Sequence, residues 1–136
     1  MSVIKVVREY LYTCPYLSQE NINIDYLGNE AKEYSVDKIS CEPVVKQYVD
    51  GSSIRQYQFA ITSIETYSND YNINQKNIEF YEMFEKWIHL QNKTSNFPNL
   101  KEDVYAIEII ENSSQITRET NTAKYQVKLR ILYRRN

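Results

Sequence analysis

From Ala123 to Ile131 the chain alternates apolar and polar side chains without a break. Ala123, Tyr125, Val127, Leu129 and Ile131 are interleaved with Lys124, Gln126, Lys128 and Arg130, and the pattern runs on to Tyr133 and Arg134. Successive side chains of a strand point to opposite faces, so a run of this kind demands a sheet with one packed face and one wet face. One such strand cannot bury its apolar side alone. The rest of the chain must therefore supply partner strands and a covering layer.

The partner strands are legible. Ile54 to Ile64 is long and β-like: Tyr57, Phe59 and Ile61 point to the packed side, while Gln56, Gln58 and Thr62 point to the other. Asp50-Gly51-Ser52-Ser53 ahead of it reads as a tight turn. Two shorter strands are expected at Ile22–Tyr26 and Tyr34–Ile39, separated by a turn at Leu27-Gly28-Asn29. Glu42-Pro43 breaks the second or holds it at an edge, because proline cannot donate to a ladder. Tyr105 to Ile110 pairs with the closing strand as a hairpin, and Glu111 to Thr122 is expected to be a polar loop between them.

Two stretches supply the cover. Val3, Val6, Val7, Tyr10, Leu11 and Cys14 recur at helical spacing, with Ser2 as N-cap and Pro15 as terminator. Ile78, Tyr81, Phe84, Trp87 and Ile88 do the same within Asn74–Gln91, with Glu79, Glu82, Glu85 and Lys86 on the remaining faces. The expected architecture is α+β: a mostly antiparallel sheet of about five strands with two main helices on one face, forming one domain over residues 1–136.

With only 2 Gly and 1 His in 136 residues, phosphate-cradling loops and His-dependent catalysis have little to build on. A net charge of −2 provides no global field for nucleic acid. The thirteen Tyr accompany many Ile and Asn, a bias that A/T-rich codons also produce. The amino-terminal residues carry charge early and build no signal-peptide core, and no run of 18 apolar residues occurs, so neither export nor a membrane partner is expected. Cys14 and Cys41 stand apart, without a metal-ligating spacing, and read as reduced structural thiols. His89 reads as a half-buried packing residue, Ser52 and Ser53 as turn residues, and the Glu79-Glu82-Glu85 row as a solvated face. No cofactor, metal or catalytic residue is expected.

Two features could carry interactions. The polar but uncharged face at Gln56, Gln58 and Thr62 suits contacts between subunits. Lys124, Lys128 and Arg130 share the wet face of the last strand, either for solubility or for docking an acidic partner. The expected loop before them, with Arg118 and Glu119, could reach a neighbour.

Several stretches resemble a known family: Cys14-Pro15-Tyr16-Leu17, Ile24-Asp25-Tyr26-Leu27-Gly28, Tyr34-Ser35-Val36, and above all Glu42 to Phe59, within which Lys46–Gln56 is the most specific part. Phe80-Tyr81-Glu82, Trp87-Ile88, Phe97-Pro98-Asn99-Leu100 and Tyr125-Gln126-Val127 extend the likeness over nearly the whole chain. The sequence resembles small tail proteins of phages infecting Gram-positive bacteria, often labelled minor capsid proteins, which look like tail terminators. The resemblance implies a hexameric ring on the last ring of the tail tube, assembled in the bacterial cytoplasm and carried in the virion tail. That ring stops polymerisation, docks the head connector, meets a sheath protein where the tail contracts, and lets DNA pass through its lumen. The same kind of ring occurs in headless R-type bacteriocin particles. The family motif marks no catalytic residue. A small intracellular protein-binding adaptor is the alternative, and an enzyme is a third class.

Overall fold

The computed structural model describes residues 2–17, 20, 22–24, 27, 33–66, 71–118 and 121–136. Its elements are α1 (Val3–Leu11), β1 (Ile22–Ile24), β2 (Glu33–Ile39), β3 (Val44–Gln47), β4 (Ser53–Thr66), α2 (Tyr71–Thr94), β5 (Asp103–Arg118) and β6 (Thr122–Arg135). They form the α+β arrangement expected: one mostly antiparallel sheet, with two helices against one of its faces. The strand order is β1-β2-β4-β6-β5, and among the described strands β1 alone runs parallel to its neighbour.

Among the described residues there are six strands rather than about five. The chain passes along one side of β4 twice in succession, first as β2 and then, after the interruption at Glu42-Pro43, as β3. Pro43 still takes part, because its carbonyl accepts the Gln56 N–H at 2.9 Å. The other side of β4 is paired along its whole length with β6, from Ser53 opposite Arg135 to Thr66 opposite Thr122.

The core lies between this sheet and the helices. Phe59, Ile61, Val127, Leu129 and Ile131 meet Val7 and Leu11 of α1 and Tyr81, Phe84 and Ile88 of α2, all fully buried. Each such side chain contributes roughly 1.5–3 kcal/mol on leaving water. The two helices touch through Tyr10 and Trp87, whose ring centroids are 5.4 Å apart.

Four details depart from the sequence pattern. Helix α1 ends at Leu11, and tight turns carry the chain on, so Cys14 is buried outside the helix. Ser2 occupies the N-cap position in extended conformation without a side-chain capping bond. In β6 the alternation breaks at Leu132, which is buried although its place in the pattern belongs to the wet face. The expected polar loop at Glu111–Thr122 is strand through Arg118, so β5 and β6 form one long hairpin. Gly28 and Asn29 of the expected first turn, and Glu119, lie outside the described residues.

Candidate interaction surfaces

Strand register assembles the polar sheet face. Gln58 lies opposite Arg130, and Thr62 lies opposite Gln126. Gln126 Nε2 donates to Thr62 Oγ1 at 3.1 Å, Gln58 Nε2 donates to Gln56 Oε1 at 3.0 Å, and Gln56 Nε2 donates to the Glu42 carbonyl at 2.7 Å. The Arg130 guanidinium joins this chain through Nη1 at 3.4 Å from Gln56 Oε1. It also donates from Nε and Nη2 to Glu108 Oε2 at 3.1 and 2.9 Å. Lys128 Nζ pairs with Glu111 Oε2 at 3.1 Å.

The basic row of β6 therefore faces an acidic row on β5. Sequence reading missed Glu111 because it ended the strand at Ile110, and missed Glu108, which lay inside that strand, because the register against β6 is not visible in either strand alone. Lys124 sits farther along, opposite Ile64 and Thr117, and Arg118 is exposed opposite Ala123. Of the residues singled out, the structure joins Gln56, Gln58 and Arg130 directly. It places Lys128 nearby and puts Lys124 and Arg118 at the far end of the hairpin, whereas Thr62, expected on an open contact face, is buried beside Ala60 and Ile64 and is closed to a partner.

Strands β1 and β5, at the two ends of the strand order, are each closed at one residue by side chains from an overlying helix or its C-cap. Along β1, the Ile22 carbonyl accepts Arg8 Nε at 2.5 Å and its N–H donates to Tyr12 Oη at 3.0 Å. Along β5, the Ile107 carbonyl accepts Asn92 Nδ2 at 2.5 Å and its N–H donates to Asn92 Oδ1 at 2.8 Å. Strand β5 is also irregular, with register shifts between Val104 and Ala106, Ile109 and Glu111, Glu111 and Ser114, and Gln115 and Thr117. Three of these shifts leave Tyr105, Ile110 and Ile116 as the extra residues, and all three are exposed. Bulges of this kind spoil an edge for strand addition.

The β3–β4 hairpin is presented differently. Asp50 Oδ1 accepts the Ser52 N–H at 2.9 Å and the Ser52 hydroxyl at 2.6 Å, and these bonds hold its carboxyl below the usual carboxylate range. Gly51 takes φ +93, a conformation that favours glycine. This turn pushes out an apolar tip: Val45 is 47% exposed, Tyr48 is exposed and Val49 is fully so. Cations flank it, with Lys46 Nζ 5.1 Å and Arg134 Cζ 6.0 Å from the Tyr48 ring centroid.

Across the sheet, α2 and β5 enclose a groove of about 800 Å³. Ile88, Ile107 and Ile109 supply its apolar lining together with Ile78, which is 52% exposed rather than part of the core as the helical spacing suggested. Glu82 and Glu85 line it as well, and Glu85 Oε1 accepts the Ser113 N–H at 3.4 Å. His89 also lines this groove and is exposed, not half-buried.

Beneath α2, Tyr34 Oη donates to Glu65 Oε1 at 3.1 Å, and the Ser63 hydroxyl bonds Tyr81 Oη. Burial pushes the phenols of Tyr10, Tyr34 and Tyr81 well above their ordinary value. It raises the Cys14 thiol too. Among the described residues no three His, Cys, Asp or Glu side chains come together as metal donors, and no helix is long and apolar enough to cross a membrane. No family model matches the chain, and no curated protein matches its sequence.

Proposed function

We propose that the chain is a structural tail protein: a tail terminator whose copies close into a ring on the tail tube, stop its growth and offer a docking surface to the head connector. One observation carries this reading. The stretch with the most specific resemblance to that family, Lys46–Gln56, forms the tip and returning arm of the β3–β4 hairpin, the most exposed apolar feature described above. A recognisable sequence at a surface tip answers to a partner, because a buried sequence of the same kind would answer first to packing.

The polar sheet face supports the same reading in a modified form. Arg130 and Lys128 are already matched by Glu108 and Glu111, so this part of the face is nearly neutral rather than a basic docking patch. A ring needs heterologous contacts that close on themselves, which a small protomer with two unlike surfaces can provide. The adaptor alternative would use the same hairpin on an unrelated partner.

Negative-stain images of the purified chain, alone and mixed with a tail tube protein, test the proposal. Rings capping tubes of limited length are expected. Tubes that grow on unaffected, with the chain monomeric in both conditions, would overturn it.

A further inference from the structure

The hairpin tip and the α2–β5 groove are separate surfaces: the tip projects from β3 and β4 beside Arg134 of β6, whereas the groove lies between α2 and β5. They are also complementary. The tip offers Val45, Tyr48 and Val49 with Lys46 and Arg134 beside them. The groove offers Ile78 and Ile109 with Glu82 and Glu85 beside them; Lys86 and Glu108 also line it, so carboxylates outnumber its one lysine.

We propose that the β3–β4 hairpin of one copy seats in the α2–β5 groove of the next copy, with Tyr48 and Val49 against Ile78 and Ile109, and Lys46 and Arg134 facing Glu82 and Glu85. This inference supplies the subunit contact for the ring reading and rests on it. The occupant is a second copy because both halves of the match are carried by the same chain, and a tip meeting a groove makes a contact that repeats head to tail.

Side chains, not strand addition, hold this contact. Asn92 already occupies the backbone groups of Ile107, and the shifts along β5 break up the remaining edge. Buried tip and groove residues would supply affinity, and the flanking charges would set orientation and association rate.

Thiol cross-linking of the full chain provides the test, in a Cys41→Ser background so that only introduced thiols react. Val49→Cys and Ile78→Cys both alter exposed positions, so the fold should survive; circular dichroism checks it. Mild oxidation of the two variants mixed should yield a disulfide-linked dimer, and the double variant a ladder of larger species. Neither variant alone should cross-link above the background of chains that carry no introduced thiol. Equal cross-linking of a single variant with itself, or none in the mixture, would overturn the contact.

A charge exchange reads the same surface by sedimentation. Lys46→Glu or Glu82→Lys alone should weaken self-association about tenfold, and the two combined in one chain should recover most of it. Failure of the combination to recover any association would count against the pairing. The ring reading can fail separately. If cross-linking and charge rescue succeed but loss of the protein leaves tail length unchanged, the contact stands and the tail role falls. If tail length is lost without any cross-link, the contact falls and the tail role stands.

Discussion

Asn92 acts toward Ile107 as a neighbouring strand would, donating to its carbonyl at 2.5 Å and accepting its N–H at 2.8 Å. Ile107 is fully buried, so neither backbone group has water as a substitute. Asn92→Ala should therefore cost about 2–3 kcal/mol, more than an ordinary hydrogen bond, because it orphans a donor and an acceptor together. Chemical denaturation midpoints of the two proteins check this, and a loss under about 0.5 kcal/mol would show that the edge closes some other way.

Alkaline pH should unfold the protein through its buried phenols. Tyr10, Tyr34 and Tyr81 are held neutral chiefly by burial, with pKa values raised above the ordinary value near 10. Below that pH both states are protonated and the full stability remains. Above it the unfolded chain releases protons that the folded one retains, so stability falls by at most about 1.4 kcal/mol per pH unit for each tyrosine. Denaturation midpoints from pH 8 to pH 11.5, read beside the tyrosinate absorbance, should show this fall. A flat profile would contradict it.

Reversing Arg130 should cost about 1 kcal/mol, since Arg130→Glu sets like charges opposite one another across β5 and β6. The exchange Glu108→Arg with Arg130→Glu should recover at least half of that loss. Lys124→Glu, at a site with neither of those carboxylates opposite, should stay within about 0.5 kcal/mol of the parent. A thermal-melt series of these variants separates a paired surface from a merely basic one.

The two thiols should report separately. Cys14 is fully buried and its thiol is pushed up by burial, whereas Cys41 is only half-buried. An aromatic disulfide reagent should titrate one thiol in the native protein and the second only after denaturant is added. Two rapidly reacting thiols would mean that the turns after α1 open readily.

These contrasts show which parts of the fold are written locally. Strand β6 and the Tyr81-Phe84-Trp87-Ile88 stripe of α2 were readable because each residue's burial follows its own period. The outer half of β5 was not, because Asn112, Ser113 and Ser114 are turn formers by local preference. Pairing with the strongly patterned β6 extends them, and the register shifts absorb the mismatch.

Ile78 misled for a different reason. Asn77 turns inward instead, donating from Nδ2 to the Thr66 carbonyl at 2.7 Å, and the rotation that allows this leaves Ile78 outside. Alternation alone put Gln56, Gln58 and Thr62 on one face, but it could not reveal that Thr62 is buried there. The carboxylates that neutralise Lys128 and Arg130 belong to another strand, and alternation within one strand cannot reveal them.

The double flanking of β4 has a kinetic consequence. Its pairing with β3 closes a short turn, and β5 and β6 likewise meet through a local hairpin, so both can form within microseconds. Joining them requires β4 to find β6, whose partners lie far along the chain, as Ser53 and Arg135 do. Such non-local closure belongs to the millisecond-to-second range. Until it happens the apolar hairpin tip exists without a finished groove to receive it, because α2 has no completed sheet to lie on. The tip-to-groove contact proposed between copies would therefore form only after that closure, while the exposed apolar surface of the half-folded chain stays open to non-specific association.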